Sequence, residues 1–247
     1  MRKPVTCLQQ PGQVVEARVP TQHIPPATEL RVLIYLPPCY QAHPPEPYPL
    51  LILFHGQNYT ADQWVRLGVP QALDERIRQG LASPLLVVMP EEPRALNWTL
   101  PPDNAFDQAV VDDLLPWLEA HYPVSTERTQ RGVGGLSRGA GWAVRIGLQH
   151  WETFGVIGAH SPAIFWGDGS RLLGWLEAIP ETALPQVSID IADYDRDEII
   201  QAATTLEDLL VAFDVPHRWR YNVGRHDEAY WRRQVPDYVA WYVRALG

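Results

Sequence analysis

The stretch Gly132-Val133-Gly134-Gly135-Leu136-Ser137-Arg138-Gly139-Ala140-Gly141 is the most informative part of this chain, because it places one serine between two glycines. The residues before Ser137 favour a strand, and the small and apolar residues after it open a helical pattern. Gly135 and Gly139 permit a tight turn that joins the strand to the helix and leaves the serine hydroxyl clear of the sheet. The stretch therefore predicts a strand, a turn and a helix in succession, with Ser137 at the turn.

Apolar, β-branched runs alternate with helical patterns along most of the chain. The predicted core strands cover residues 50–54, 85–89, 131–136, 154–159, 187–192 and 218–223. The predicted helices, in which apolar residues recur at helical spacing, cover residues 69–79, 106–121, 138–149, 197–213 and 228–245. Strands that alternate with helices predict an α/β fold, with a mostly parallel sheet and helices on both faces.

Two further strands, at residues 13–19 and 30–36, come first and are joined by a loop that contains no helix. Such a connection predicts an antiparallel N-terminal hairpin at one edge of the sheet, which brings the total to about eight strands. We expect one domain over residues 1–247, because α/β chains of this length often form a single domain. The segment 161–185 is longer than a simple crossover and predicts either a small cap or an ordinary helix with its loops.

Cys7 and Cys39 are the two cysteines of the chain, and they flank the predicted hairpin. The start of one antiparallel strand lies beside the end of the next, so a disulfide between them is possible. The alternative is two free thiols in a reducing compartment. No apolar signal-peptide core follows Arg2 and Lys3, so the protein is expected to be cytoplasmic as written, or secreted if a signal peptide was removed.

The composition argues against two classes of partner. The formal net charge is -9, and the Lys and Arg residues are scattered, so no basic stripe is present that would follow a nucleic-acid backbone. The longest apolar runs have the length of strands, well below the roughly 20 residues that a membrane span requires. The sequence therefore predicts a soluble protein that binds neither nucleic acid nor membrane, and it leaves the oligomeric state open.

A serine hydroxyl becomes a nucleophile when a base takes its proton, and in chains with this turn the order is serine, acid, histidine. His226 is the predicted base for Ser137. It follows the last predicted strand, and a loop at the carboxyl end of that strand can direct the imidazole toward Ser137. His160 also lies at the carboxyl end of a strand and is expected to line the pocket. The other histidines after the serine, His150 and His217, are expected to be structural.

The acid that orients the imidazole is expected near the end of the strand predicted at residues 187–192. Asp190 lies inside this strand, so Asp193 and Asp195 are the candidates. Asp195 is preferred because it lies further into the loop that has to reach His226. Asp193 stays open as the alternative.

The oxyanion of a tetrahedral intermediate requires backbone N–H donors that are fixed before the reaction. One comes from the residue after the nucleophile, here Arg138, and one from the loop after the third strand. That strand ends in Phe54-His55-Gly56-Gln57, so the amide of Gln57 is the predicted second donor. His55 precedes the serine and is expected to brace this loop rather than to act as the base.

Five segments together resemble the esterase D and feruloyl esterase family of α/β-hydrolases. They are Tyr35-Leu36-Pro37-Pro38, Leu53-Phe54-His55-Gly56, Gly135-Leu136-Ser137-Arg138-Gly139, Ile191-Ala192-Asp193-Tyr194-Asp195 and Gly224-Arg225-His226-Asp227. The resemblance spans nearly the whole chain and implies an α/β-hydrolase fold. In that family the acid loop reads Gly-x-x-Asp, which implies Asp195 as the acid, with Ala192 in place of the glycine. The family also has a glycine-rich stretch after His-Gly, where this chain has Gln57-Asn58-Tyr59-Thr60, so the rim of the pocket is expected to differ.

Several side chains near the predicted catalytic residues are candidates for the substrate site. Besides His160, they are Trp64, Trp98, Phe165, Trp166 and Trp231. Tryptophan faces suit aryl or sugar groups, although most tryptophans are largely buried, so for any single ring core packing is the more common role. The chain has no His-Glu-x-x-His, Cys-x-x-Cys or glycine-rich dinucleotide motif, so we expect neither a metal nor a cofactor.

These residues predict a serine hydrolase that cleaves aryl, hydroxycinnamoyl (feruloyl) or acetyl-sugar esters through an acyl-enzyme, with Ser137, Asp195 and His226 as its catalytic triad. The expected partner is thus a small-molecule ester. An acyltransferase on the same triad, in which an alcohol replaces water, is the first alternative. The second is a catalytically inactive binding module on the same scaffold, and the order serine, acid, histidine argues against it.

Overall fold

The strands of the computed structural model, which describes residues 7–247, form a single mixed sheet. Their bounds are β1 (Gln13–Pro20), β2 (Glu29–Leu36), β3 (Leu50–Phe54), β4 (Leu86–Pro90), β5 (Arg131–Leu136), β6 (Val156–His160), β7 (Gln186–Tyr194) and β8 (His217–Arg225). The order across the sheet is β1-β2-β4-β3-β5-β6-β7-β8. The pairs β1–β2 and β2–β4 are antiparallel, and the other neighbours are parallel. The expected eight-stranded, mostly parallel sheet with an antiparallel N-terminal hairpin is confirmed.

Helices connect the parallel strands and pack on both faces of the sheet. Their bounds are α1 (Gln63–Leu67), α2 (Val69–Arg78), α3 (Phe106–Gln108), α4 (Leu115–His121), α5 (Arg138–Gln149), α6 (Trp166–Gly169), α7 (Leu172–Glu177), α8 (Asp197–Ala212) and α9 (Glu228–Ala245). A π-helical segment, Ala109–Leu114, joins α3 to α4, so the chain is helical throughout the predicted segment 106–121. The segment 161–185 contains the short helices α6 and α7.

The last two strands run further than the sequence predicted. Pairing between β7 and β8 continues to Tyr194 and Arg225, across an irregularity between Ala192 and Tyr194. The apolar runs from which the strands were predicted stop earlier, because polar side chains begin while the backbone pairing continues. As a result Asp195 and His226 each follow directly on the end of a strand.

The central strands are covered by helices on both sides, which explains their unbroken apolar sequences. In β3, Leu50, Ile52 and Phe54 pack into the cluster beneath α3, α4, α5, α7 and α8. Leu51 and Leu53 point the other way, into the cluster beneath α1, α2 and α9. Alternate residues of a strand face opposite sides, so a strand that is buried on both sides has to be apolar at every position. No helix within residues 7–247 has the length and apolarity to cross a bilayer.

A disulfide joins Cys7 to Cys39, 32 positions apart, at the open end of the β1–β2 hairpin. Nearby, the Gly12 N–H and the Tyr35 hydroxyl both donate to Asp74 Oδ1, at 3.0 and 2.7 Å. Asp74 lies in α2, so these hydrogen bonds fasten the edge of the sheet to a helix. The β1–β2 edge of the sheet is thus held both by the disulfide and by the two hydrogen bonds to Asp74.

Replacement of both cysteines by serine should lower the free energy of unfolding, because the cross-link restricts the unfolded chain. For a closed loop of this length, the loop-closure relation gives about 3 to 4 kcal/mol. Guanidinium unfolding of the Cys7→Ser/Cys39→Ser protein, compared with the oxidised parent, measures this difference. Equal midpoints and slopes for the two proteins would show that the disulfide contributes no stability.

Candidate active site

Ser137 lies at the turn between β5 and α5, with backbone angles φ 53° and ψ -117°. A positive φ is uncommon for a residue with a side chain and persists when the surroundings enforce it. A Cβ built on Gly135 would overlap the carbonyl group of Gly139, and one built on Gly139 would overlap the carbonyl oxygen of Phe54. Both positions therefore require glycine, because the backbone of the turn packs on itself and on the end of β3.

Three side chains meet at this turn through hydrogen bonds. His226 Nε2 lies 2.8 Å from Ser137 Oγ, and His226 Nδ1 lies 2.7 Å from Asp195 Oδ1. With the Nδ1–H donating to the carboxylate, Nε2 is left to accept the serine proton. The Asp195 side chain is fully buried, and that of His226 is 16% exposed. The structure thus brings together the serine, the histidine and the preferred acid that the sequence nominated.

Asp193, the alternative acid, contacts a different group. Its Oδ1 accepts the backbone N–H of Gly224 at 2.8 Å. This hydrogen bond links the end of β7 to the end of β8, immediately before His226. Within residues 7–247, the structure contains no hydrogen bond between Asp193 and His226, whose Nδ1 is engaged by Asp195.

A buried histidine braces the loop after β3. His55 Nδ1 donates to the Gly56 carbonyl oxygen at 2.8 Å, and Nε2 accepts the backbone N–H of Glu92 at 2.9 Å. Both contacts require a neutral ring with its proton on Nδ1, and burial lowers the pKa of His55, which favours the neutral ring. The loop is therefore held in place before Gln57, which lines the same cavity as Ser137.

The Arg138 side chain forms a buried ion pair that sequence analysis did not reveal. Its Nε and Nη2 donate to Glu92 Oε2 and Oε1 at 2.8 and 2.7 Å, and both side chains are buried. Nη2 also donates to the Thr99 carbonyl oxygen at 2.6 Å, and Asn104 Nδ2 donates to Glu92 Oε1 at 2.7 Å. The pair fastens the nucleophile turn to residues 91–104. Since Arg138 is the first residue of α5, its own N–H has no acceptor within the helix.

The substitution Glu92→Gln should destabilise the fold strongly, because it leaves the guanidinium of Arg138 buried without its carboxylate. Removal of one partner from a buried pair costs about 3 to 5 kcal/mol. Glu91→Gln is the matched control: this neighbouring carboxylate pairs with Arg31 at 2.7 Å, where both side chains are more exposed than in the buried pair, so its loss should cost less. Urea unfolding of both variants measures how far each substitution lowers the free energy of unfolding. If Glu92→Gln cost no more than Glu91→Gln, the buried pair would be dispensable for stability.

A cavity of about 340 Å³ opens beside Ser137. Three of the aromatic candidates, Trp98, Phe165 and Trp166, line it. Trp98 is 77% exposed and Trp166 is 93% exposed, so both rings offer free faces at its mouth. Phe165 is buried and packs against the ring of Trp142. The cavity thus combines the nucleophile with two accessible aromatic surfaces.

Trp64 and His160 lie in the core, where no surface of either side chain is accessible. The indole N–H of Trp64 donates to the Phe54 carbonyl oxygen at 3.0 Å, and His160 Nε2 lies 2.9 Å from the Tyr242 hydroxyl. Burial lowers the pKa of His160 to about 3, so its ring is neutral. The expectation that these two residues contact the substrate is therefore corrected: both are enclosed by packing between the sheet and the helices.

Trp231 is also buried, but it contacts His226. Its ring lies edge-on to that of His226, with 4.9 Å between the centroids, and its indole N–H donates to Ser161 Oγ at 3.2 Å. Trp231 lines a second, smaller cavity of about 160 Å³, together with Ser137 and His226. Trp231 therefore packs against the imidazole of His226, and its ring has no exposed face for a ligand.

Comparison with protein families identifies the chain. A family model described as "Putative esterase" matches residues 26–242, which is most of the chain. The chain belongs to the Esterase family. A curated relative from Mycobacterium tuberculosis, named as an esterase, is 28% identical over 137 residues, which are 52% of this chain and 28% of that protein. This chain thus matches less than a third of the length of that relative.

Solved structures resemble this Esterase family member over nearly its whole length. A ferulic acid esterase superposes with a TM-score of 0.82 at 20% identity, over 96% of this chain and 100% of that one. A ferulic acid esterase from Anaeromyces mucronatus, solved in complex with ferulic acid, has a TM-score of 0.74 at 19% identity, over 100% and 95% of the two chains. These similarities, together with the order of strands in the sheet, establish the α/β-hydrolase fold.

Proposed function

We propose that the protein is a serine esterase that hydrolyses carboxylic esters through an acyl-enzyme. The observation that carries this proposal is the pair of hydrogen bonds that link Ser137 to His226 and His226 to Asp195, at 2.8 and 2.7 Å. Membership of the Esterase family supports ester hydrolysis as the reaction. The glycine turn supports Ser137 as the nucleophile, because it holds the hydroxyl at the end of β5, where the cavity opens.

Each proposed step follows from these positions. The Ser137 hydroxyl proton passes to His226 Nε2 as Oγ attacks the ester carbonyl carbon, and Asp195 stabilises the resulting imidazolium. The N–H groups of Gln57 and Arg138 stabilise the negative charge on the carbonyl oxygen. His226 then gives the proton to the alcohol oxygen, the C–O bond breaks and the alcohol leaves. Water then gives a proton to the same nitrogen as its oxygen attacks the acyl carbon. The bond between that carbon and Ser137 Oγ breaks, Oγ takes the proton back from His226, and the carboxylic acid leaves.

The roles of the triad residues are tested by single substitutions. Ser137→Ala and His226→Ala should each lower kcat for 4-nitrophenyl acetate by about 10⁴-fold or more. Asp195→Asn should lower it by about 10⁴-fold, because an amide no longer selects the productive tautomer. Asp193→Asn is the matched control and should have a much smaller effect, since Asp193 accepts from Gly224 and not from His226. The reverse order of the two Asn variants would move the acid to Asp193.

We further propose that the substrate carries a ring that packs on an aromatic face, as aryl, hydroxycinnamoyl and acetyl-sugar esters do. The exposed faces of Trp98 and Trp166 beside Ser137 support this choice, because aromatic faces stack on such rings. The ferulic acid bound by the related Anaeromyces mucronatus esterase supports a hydroxycinnamoyl group in particular. We expect kcat/KM for methyl ferulate, phenyl acetate or an acetylated sugar to exceed that for ethyl acetate. Equal values across this panel would contradict the ring preference.

The disulfide supports a proposal about the compartment in which the protein works. We propose that the protein works outside the reducing cytoplasm, because a disulfide such as Cys7–Cys39 persists in secreted and periplasmic proteins and is rare in cytosolic ones.

A further inference from the structure

The cavities beside the nucleophile have an unusual charge for this chain. Among residues 7–247, no carboxylate lines either of the two cavities that Ser137 lines, although the chain has 29 Asp and Glu against 20 Lys and Arg. The charged lining residues are Arg138 and Arg196, and the first is neutralised by its buried pair with Glu92. Arg196 lines both cavities and therefore places a positive charge at their walls.

Arg196 is fixed at its backbone, whereas its side chain lacks a strong partner. Its N–H donates to Asp195 Oδ1 at 2.8 Å, which fixes the residue beside the triad. Within residues 7–247, the carboxylate in ion-pair range is that of Glu198, 3.6 Å from Nε, and the two side chains are 52% and 69% exposed. Exposed pairs of this kind contribute little. Most of the donors of the guanidinium are therefore free to bind a ligand.

The contact with His226 defines on which side of the ester bond Arg196 lies. Arg196 Nη2 is 3.2 Å from His226 Nε2. In the proposed mechanism, this nitrogen protonates the departing alcohol oxygen. The guanidinium therefore lies beside the alcohol part of the ester rather than beside the acyl part.

The same contact would change on binding of an anion. His226 Nε2 has one lone pair, and both the Ser137 hydroxyl and Arg196 Nη2 lie within hydrogen-bonding distance of it. A carboxylate accepts two parallel hydrogen bonds from a guanidinium, and such charge-assisted pairs are stronger than a bond to a neutral ring. A substrate carboxylate would thus draw Arg196 away and leave the lone pair to the serine proton.

We infer that Arg196 is a specificity-determining residue that binds a carboxylate on the alcohol part of the ester. This inference rests on the proposed esterase function and goes further, because it names the substrate class: esters whose leaving alcohol or phenol carries a negative charge.

The test compares two phenyl acetates that differ in charge at one position of the leaving phenol. The anionic substrate is 3-acetoxybenzoate, and the neutral one is its methyl ester. The wild-type protein is compared with Arg196→Gln, Arg196→Lys and the charge-matched control Arg171→Gln, since Arg171 is exposed and lines neither cavity. The measured quantity is the ratio of kcat/KM for the anionic ester to that for the neutral ester.

We expect this ratio to fall by about tenfold or more in Arg196→Gln, mainly through KM, as is usual when a hydrogen-bonded charge pair is lost. Arg196→Lys should restore part of this ratio, because lysine keeps the positive charge but lacks the planar guanidinium that donates two parallel hydrogen bonds to a carboxylate. Arg171→Gln should leave it unchanged. In the wild type, added salt should lower the ratio.

Two results would overturn the inference while the esterase proposal stands. One is an equal loss for both esters in Arg196→Gln, which would mean that Arg196 acts through His226 alone. The other concerns a second pair of esters, phenyl hydrogen succinate and its methyl ester, in which the carboxylate lies on the acyl part. If Arg196→Gln lowered the anionic-to-neutral ratio of kcat/KM for this pair and not for the pair with the carboxylate on the phenol, Arg196 would lie beside the acyl part. A wild-type protein that cleaves none of these esters would instead refute the proposed function, and the inference with it.

Discussion

The backbone of the turn at Gly139 packs directly against the end of β3, and this contact positions the other parts of the site. No side chain fits between them, so the first turn of α5 lies directly against the carbonyl group of Phe54. This contact sets Ser137 at the end of β5 and brings the N–H of Arg138 next to the loop that carries Gln57. One close approach of two backbones thus positions the proposed nucleophile and both proposed oxyanion donors.

Buried polar contacts then fix the loops around this turn. His55 holds the loop after β3 to Glu92, and Glu92 in turn holds the side chain of Arg138. On the other side, the Asp195 carboxylate accepts a hydrogen bond from the imidazole of His226, and the ring of Trp231 packs edge-on against it. Groups that are fixed before the reaction stabilise developing charge without reorganisation, which is the physical basis for catalysis at such a site. The same contacts leave Arg196 as the one charged group at the cavities with donors to spare among the described residues.

The features that sequence analysis predicted well depend on residues close to one another in the chain. The glycines two positions from Ser137 predicted the turn, and the limits of α5 and α9 agree with the predicted helices because apolar periodicity extends to both ends. Partners that are distant in sequence could not be predicted: Glu92 and Arg138 are 46 positions apart, and neither has a local signature. For the same reason the sequence does not show that Trp64 lies in the core, where its indole N–H donates to the β3 backbone, rather than in the substrate site. That residues 1–247 form one domain stays a prediction.

If His226 activates Ser137 as a nucleophile, Ser137 reacts with a fluorophosphonate. Treatment of the native protein with this reagent, followed by mass mapping of its peptides, shows which residue is modified. We expect a single adduct on the peptide that contains Ser137, and no adduct in a folded Ser137→Ala protein. A native protein that stays unlabelled, or an adduct on another residue, would contradict this expectation.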